Sequence, residues 1–389
     1  MQEKVFAKIE AYQEDMFKLL EKLVSIESCQ DNPEGIAEIA HILGNELAPL
    51  GFDIEYHESN GPLQLIATRP RPGKPKVMFM GHMDTVFPKG EVAKRPFKKE
   101  DGKLYGPGVM DMKSGLAMTV YILKSLIESG FDDADLTVFF SGDEEVNHPF
   151  SDAVDNFRKL GKGKDMVLNM EPGRENGEVT YGRKGVWRPL IKVKGIPTHS
   201  GNDFAGGASA ILELARKTID LFGVTDLEAG TTCNVGTFHG GTLPNIMAAN
   251  AECIIDLRFT SNEEYKKARA KVEEICSFTY DKRCTITMEE RPGGLMPSYD
   301  VTDYGMRLFH FVQKLHEELG LGKLEGIFVG GSSDAAYTTE VGAPTLCSMG
   351  PKSVGAHSAN EYAYVDSYLG RSKLAAECVM RAAEFVNEK

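Results

Sequence analysis

The chain has 389 residues, of which 42% are hydrophobic and 26% are charged, a composition typical of a globular protein large enough for two domains. Its formal charge of −13 argues against nucleic acid as a partner, because phosphate binding requires a basic face and no run of lysine or arginine supplies one. No apolar run approaches the roughly 18 residues of a membrane span, and seven scattered cysteines without a CxxC pair are typical of reduced thiols, so we expect a cytoplasmic protein that does not bind membranes.

The first half of the chain alternates helical patterns with apolar runs of strand length. Apolar residues spaced three and four apart between Val5 and Leu23 predict an amphipathic helix, and a second helix is expected over 33–50 with Gly51 as its C-cap. Continuous apolar runs are typical of strands buried on both faces of a mostly parallel sheet. Such strands are expected over 63–68, 77–80, 136–140 and 166–170, with a helix over 114–129. This half therefore predicts an α/β fold with helices flanking the sheet.

The pattern changes near Tyr181 and predicts an inserted second domain over 182–292. Leu190 to Lys194 alternates apolar and polar residues, as a half-buried strand does. The order β-α-β-β-α-β is expected, with elements over 190–194, 207–222, 231–238, 250–259, 262–280 and 284–289. This order predicts a small antiparallel sheet with two helices on one face, a ferredoxin-like arrangement.

The last part of the chain resumes the α/β pattern after the turn signal Pro292-Gly293-Gly294. A helix, a short strand and a final helix are expected over 301–319, 345–349 and 365–386. We therefore expect a discontinuous first domain formed by residues 1–181 and 293–389.

Four of the expected strands are followed by a histidine or a carboxylate just beyond their C-terminal ends. In chain order these residues are His82 and Asp84, then Asp143, Glu144 and Glu145, then Glu171, and finally His357. Asp111 stands at the start of a helix. Ligands of open α/β sheets bind at the carboxyl ends of the strands, and converging buried carboxylates are costly unless a cation holds them. Nitrogen and carboxylate donors without thiolate predict a two-zinc hydrolytic site, although spacing alone does not assign the roles.

Five blocks of sequence resemble, in order, the zinc-binding blocks of the M20 metallopeptidase family. They are Gly81–Val86, Gly106–Gly115, Ser141–Glu145, Glu171-Pro172 and Ala356-His357-Ser358. The resemblance spans nearly the whole chain and is greatest to the glutamate carboxypeptidase branch, with the acetylornithine deacetylase and succinyl-diaminopimelate desuccinylase branches as relatives.

The resemblance implies a role for each of these residues. His82, Asp111 and Glu171 would bind one zinc ion, and Asp111, Glu145 and His357 would bind the other, so that Asp111 bridges the two. Glu144 would be the general base for the attacking water, and Asp84 would orient His82. The Asp111-Met112 bond would be a cis peptide, and Co²⁺ or Mn²⁺ could replace zinc.

The inserted domain resembles the family's dimerisation domain, which implies a homodimer. The segment Gly195–Gly201 resembles one whose histidine stabilises the oxyanion in the other subunit's site, which would give His199 that role. Leu243–Ile246 resembles a segment with a substrate-binding asparagine, here Asn245. Arg291 matches an arginine that pairs with the terminal carboxylate of the substrate, for which its planar fork is suited.

These expectations predict a dizinc hydrolase that cleaves an amide bond next to a free carboxylate in a small peptide or an N-acyl amino acid. It would act as a carboxypeptidase, with glutamate as one product it could release, or as a deacylase. A di- or tripeptide aminopeptidase is an alternative, although Glu171 disfavours it because the resemblance implies aspartate there in aminopeptidase branches. A catalytically silent, metal-stabilised binding protein is a third hypothesis. His148 matches no position of the blocks and is interpreted as structural or solvated.

Overall fold

The computed structural model describes residues 1–388, which form twelve α-helices and eighteen strands. The helices are α1 Gln2–Ala11, α2 Gln13–Val24, α3 Pro33–Leu47, α4 Glu91–Lys94, α5 Ser114–Glu128, α6 Ala153–Gly161, α7 Ala210–Phe222, α8 Asn262–Cys276, α9 Asp303–Glu318, α10 Ala335–Glu340, α11 Val365–Met380 and α12 Ala382–Asn387. The strands are β1 Asp53–His57, β2 Gln64–Arg69, β3 Lys76–His82, β4 Lys98–Glu100, β5 Lys103–Tyr105, β6 Asp135–Ser141, β7 Met166–Asn169, β8 Val179–Arg183, β9 Gly185–Trp187, β10 Leu190–Lys194, β11 Thr232–Gly240, β12 Asn250–Phe259, β13 Thr285–Glu289, β14 Leu295–Met296, β15 Gly326–Val329, β16 Thr345–Leu346, β17 Ser353–Val354 and β18 Tyr362–Tyr364.

The chain divides into two compact units, each with its own apolar core. The second unit comprises Arg183–Asp300 and Val329–Ala336, and the first unit comprises the rest. The second unit therefore extends beyond the expected residues 182–292. The extension arises because β14 pairs with β9, and because Tyr299 and Arg183 exchange backbone hydrogen bonds of 3.0 and 3.1 Å.

The first unit is built on a six-stranded sheet in the order β1-β2-β6-β3-β7-β16. Strands β6, β3, β7 and β16 are parallel, and β1 and β2 add an antiparallel edge. Every residue of β3 after Lys76 is buried, as its continuous apolar run predicts. The expected strand at 345–349 is shorter in the structure, because Ser348 has a positive φ of 64° and ends the extended backbone. The α/β architecture is confirmed.

Two of the expected long helices are each divided into two. The N-terminal pattern gives α1 and α2 with a break at Tyr12, where φ is −88° and ψ is 2°. The Tyr12 hydroxyl donates to Glu128 of α5, and both short helices pack against α5. The C-terminal pattern gives α11 and α12 with a break at Arg381. Gly51 has the left-handed φ of 82° expected of a C-cap. Among residues 1–388, no helix combines the length and apolar character needed to cross a membrane.

The second unit contains the expected β-α-β-β-α-β order as β10-α7-β11-β12-α8-β13. Its antiparallel strands lie in the order β13-β10-β12-β11, and β9 pairs with the last residues of β12. Burial alternates along β12, as expected for a sheet with helices on one face. Ser209 and Ser261 cap α7 and α8 by accepting backbone N–H groups of their first turns.

Candidate metal centre

The parallel strands of the first unit end at one edge of the sheet, and donor residues follow each of them. In the register of the sheet, His82 at the end of β3 lies opposite Ser141 at the end of β6. Met80 of β3 lies opposite Asn169, the last residue of β7. The acidic stretch 143–145 and Glu171 follow these two strands directly. The strand ends therefore deliver their donors to the same edge, as expected for an open α/β sheet.

One group of donors is formed by His82, Asp111 and Glu171, whose ligand atoms all lie within 4.8 Å of one another. The Nε2 atom of His82 is 3.2 Å from Asp111 Oδ1 and 3.8 Å from Glu171 Oε1. The His82 side chain is only 1% exposed. This group is therefore almost fully shielded from solvent.

A second group is formed by Asp111, Glu145 and His357, within the same 4.8 Å limit. The Nε2 atom of His357 is 3.3 Å from Asp111 Oδ2 and 3.1 Å from Glu145 Oε2. The His357 side chain is 56% exposed. Asp111 thus turns one carboxylate oxygen towards each histidine.

The position of Asp111 is set by a tight turn, Val109–Lys113, that leads into α5 at Ser114. The turn is preceded by Gly108, whose φ of 76° favours glycine. Asp111 itself has extended dihedrals, with φ −117° and ψ 98°. The Asp111-Met112 peptide is cis, as the resemblance implies.

Asp84 supports the acidic loop as well as His82. Its Oδ1 and Oδ2 atoms accept the backbone N–H groups of Glu144 and Glu145 at 3.1 and 3.0 Å. Oδ2 also accepts the Gln30 side-chain amide at 3.0 Å. The His82 Nδ1 atom lies 3.1 Å from the Asp84 backbone oxygen and 3.4 Å from its Oδ1. Asp84 therefore fixes the histidine and the two glutamates relative to one another.

Glu144 stands beside the donors without belonging to either group. Its Oε2 atom is 4.0 Å from His82 Nε2, and its side chain is mostly buried. Asp143 points elsewhere, since its Oδ1 is 2.9 Å from His148 Nδ1 and accepts the Ser151 hydroxyl at 2.7 Å. His148 is buried, which agrees with its interpretation as a structural residue and not with a solvated one.

The charged side chains of the two donor groups are compatible with bound cations. Hydrogen bonds to Asp111 and Glu145 raise the pKa of His357 to about 10. Burial opposes protonation of His82, but its bonds to Asp111 and Asp84 and the nearby Glu144 charge outweigh it, so its pKa is also raised. The Glu145 Oε1 atom is buried with no hydrogen-bond partner among the described residues. Because buried polar atoms are normally satisfied, this oxygen and the nitrogen and carboxylate donors around it fit divalent cations.

Glu361 is a site residue that the sequence reasoning missed. Its buried carboxylate accepts the backbone N–H of Gly108 at 2.6 Å through Oε1 and that of Met110 at 3.3 Å through Oε2. It therefore ties the loop that carries His357 to the turn that carries Asp111. Burial raises the pKa of Glu361 to about 7. The only signal in the sequence was its position four residues after His357, which predicts no contact by itself.

The remaining predicted residues, His199, Asn245 and Arg291, lie on the second unit and are exposed. The backbone of His199 pairs with Ile246, and the Ser200 N–H donates to the Asn245 carbonyl at 3.0 Å. The predicted histidine and asparagine segments therefore adjoin. His199 Nδ1 accepts the Gly201 N–H at 3.1 Å, which leaves Nε2 as the N–H of the neutral ring.

The fold and the donor groups define a hydrolase of the metal-dependent peptidase class. The chain belongs to peptidase family M20/M25/M40, whose model matches residues 78–381. It is 31% identical over 374 residues to carboxypeptidase G2 of Pseudomonas sp. (strain RS-16), covering 94% of this chain and 88% of that protein. It is 27% identical over 371 residues to succinyl-diaminopimelate desuccinylase of Dechloromonas aromatica (strain RCB), covering 90% of this chain and 94% of that protein.

The fold is also that of solved structures from several peptidases. Aminopeptidase PepT from Bacillus cereus ATCC 10987 superposes with a TM-score of 0.81 at 22% identity, covering 95% of this chain and 99% of that one. The M20 family metallo-carboxypeptidase Sso-CP2 from Sulfolobus solfataricus gives a TM-score of 0.72 at 16% identity, covering 94% of this chain and 99% of that one. At these identities the likeness extends to the fold alone, and it is shared by aminopeptidases and carboxypeptidases.

Proposed function

We propose that this chain is a dizinc amidohydrolase that cleaves an amide bond next to a free carboxylate, as a carboxypeptidase or as a deacylase of N-acyl amino acids. The observation that carries the proposal is the pair of donor groups that share Asp111, with Glu144 beside them and outside both. The similarity to a carboxypeptidase and to a desuccinylase supports the same class of reaction.

Five residues would hold the two ions. His82 and Glu171 belong to one site, Glu145 and His357 belong to the other, and Asp111 is common to both. Bound zinc would supply Lewis acidity, which lowers the pKa of a water and polarises a carbonyl. Co²⁺ and Mn²⁺ accept the same nitrogen and carboxylate donors and would be substitutes.

Glu144 would move the proton of the reaction. Its carboxylate accepts a proton from the attacking water while the oxygen bonds to the scissile carbonyl carbon, and it returns the proton to the leaving amine when the C–N bond breaks. The N–H of Glu144 is held by Asp84. Because this bond fixes the start of the turn 144–146, the carboxylate is kept beside His82 Nε2.

The second unit would supply contacts to the substrate. The His199 N–H would reach the other subunit's site and donate to the oxyanion that develops on the carbonyl there. Arg291 would bind the free carboxylate through two parallel hydrogen bonds, because its planar guanidinium matches both oxygens. Asn245 would orient the amide, since its segment pairs with that of His199.

A homodimer through the second unit is part of the proposal. Strand β11 is a nine-residue edge strand, and such edges are usually covered. Helix α7 beside it exposes the apolar side chains of Leu212, Ile219 and Phe222. We expect light scattering to give twice the mass of the chain. Ile219→Lys, which places a charge in the most exposed of these positions, would shift the protein towards a monomer, whereas Lys159→Glu on the first unit would not.

The central experiment is a substrate screen with zinc added to the purified protein. C-terminal glutamate dipeptides, folate-like compounds and N-acetyl amino acids are assayed alongside peptides blocked at either end. Hydrolysis that survives an N-terminal block but not a C-terminal one supports the proposal. The opposite result would identify an aminopeptidase, and binding without turnover would identify a silent binding protein.

A matched pair of variants tests the roles of the two adjacent glutamates. Glu144→Gln should keep both ions and lose turnover, because only the proton acceptor is removed. Glu145→Gln should lose one ion, because a ligand is removed. Metal content measured by mass spectrometry distinguishes them, and loss of metal from Glu144→Gln alone would show that the two roles are exchanged.

A further inference from the structure

A cleft of about 350 Å³ opens on the first unit, and none of the metal-donor residues lines it. One wall is the turn at Gly177 that precedes β8, and another is the connection that follows α9. The first turn of α11 closes the cleft, together with Lys352. The reaction proposed above makes no use of this cleft.

Arg371 of α11 is a buried cation at the wall of the cleft. Its side chain belongs to a residue that is only 4% exposed. The Nη2 atom donates to the Gly177 carbonyl at 2.6 Å, and Nη1 is buried with no hydrogen-bond partner among the described residues. Burial lowers the pKa of the guanidinium to about 10, so it stays charged at neutral pH.

A buried guanidinium is normally paired with a carboxylate, because an unpaired buried charge is costly. Within residues 1–388, no carboxylate oxygen lies within ion-pairing distance of Arg371, although Glu178, Glu325 and Asp366 line the same cleft. Glu325 is engaged by Lys323 at 2.6 Å. The cation at the wall therefore has no anionic partner among residues 1–388.

The surroundings of Arg371 favour a negative ligand. Lys352 adds an ammonium group to the lining, whereas Lys323 is paired with Glu325. The 16-residue helix α11 begins at the cleft, and its N-terminus carries the positive end of the helix dipole, which Asp366 in the first turn partly offsets. His316 adds no positive charge to the cleft, because burial lowers its pKa. Its Nδ1 atom is bonded to the Gly322 carbonyl at 2.7 Å.

We propose that this cleft binds a small oxyanion, with Arg371 as the buried anchor and Lys352 at the rim. A phosphate or carboxylate group can accept two parallel hydrogen bonds from a guanidinium and fits the size of the cleft. This site is separate from the candidate metal centre, and the proposal does not depend on the proposed amide hydrolysis.

The test is calorimetric titration of the zinc-loaded protein with inorganic phosphate and, in a parallel arm, with acetate. Ionic strength is held constant with chloride. Because anions also bind metal centres, the quantity measured is the difference between the parent protein and Arg371→Met. Methionine keeps the apolar stem of the side chain and removes the charge. The parent should bind one more anion per chain than the variant, and the arm with the tighter binding identifies the chemistry.

Two further measurements separate a binding role from a merely structural one. With phosphate, the melting temperature should rise further for the parent than for the variant. Lys352→Ala, which leaves the anchor in place, should weaken the extra binding about tenfold, whereas Lys159→Ala, on the exposed end of α6, should not change it.

Equal binding of both anions by the parent and Arg371→Met would overturn the proposal. If the methionine variant does not fold, Lys352→Ala decides the question, and unchanged phosphate and acetate binding in that variant would overturn the proposal equally.

Discussion

The two donor groups of the candidate metal centre share Asp111 but differ in their access to solvent. His82 lies at the end of the central strand β3 and is buried, whereas His357 lies on a loop between β17 and β18, has a positive φ of 60° and is half exposed. Buried donors are held in place by packing, and exposed donors compete with water. The site of the buried group is preorganised by the sheet, whereas the site of the other group is completed by a loop. We therefore expect the ion held by the buried group, the first ion, to bind more tightly than the second ion, which His357 helps to hold.

The largest effect is expected from Asp111→Asn, which removes the charge that both groups share. Both ions should be lost on dialysis, and activity should fall by at least about a thousandfold because the residue supports both sites at once. Metal analysis and initial rates check this. Asp101→Asn is the control, since Asp101 is exposed and its φ of 49° suits asparagine. If Asp111→Asn retained two ions, Asp111 would not be the residue that bridges them.

His82→Ala and His357→Ala test whether burial distinguishes the two sites. Each variant should retain one ion, but the ion left in His357→Ala should bind at least about tenfold more tightly, because its donors are buried and preorganised. Competition with a chelator gives both dissociation constants. Equal constants would mean that burial does not distinguish the sites.

The pH dependence of metal uptake should follow from the two histidines. The pKa of His357 is raised to about 10, so its ring is protonated at neutral pH before an ion binds, and hydrogen bonds to Asp111 and Asp84 raise the pKa of His82 as well. Binding requires the neutral ring and therefore releases protons. Zinc affinity should fall as the pH falls below the raised pKa of His357. Calorimetry in two buffers of different ionisation enthalpy counts the protons, and His357→Ala should release fewer than the parent.

The smallest effect is expected from Glu361→Gln. The amide keeps one acceptor for the Gly108 and Met110 N–H groups and loses the other, at a cost of about 1 kcal/mol. Affinity for the second ion should fall about fivefold by the same reasoning, because the loop that carries His357 is tied less firmly. The chelator assay measures it, with Glu325→Gln on the exposed loop as a control. A loss confined to the first ion would show that Glu361 supports the sheet edge instead.

The parts of the fold with a strong apolar pattern were predictable. The buried runs of β3, β6 and β7 are continuous, and their ends identified the donor residues. The break at Tyr12 was not predictable, since the spacing of apolar residues continues across it. The contact of Glu361 was missed for a different reason. It depends on the pairing of β18 with β5, two three-residue strands whose register no local pattern encodes. The assignment of Glu144 as general base and Glu145 as metal ligand came from the family resemblance and not from their spacing.

The discontinuous first unit has a consequence for how the protein is made. The chain leaves this unit at Gly182 and re-enters it at Val301, and strand β16 and the His357 loop come later still. During synthesis from the N-terminus, the ribosome releases the whole second unit before the sheet of the first can be completed, and domains generally fold as units in that order. The second unit can therefore fold before β16, the last parallel strand of the first unit, has been synthesised. All three donors of the buried group precede the second unit in the chain, whereas His357 of the exposed group follows it, so the two donor groups are completed at different stages of synthesis.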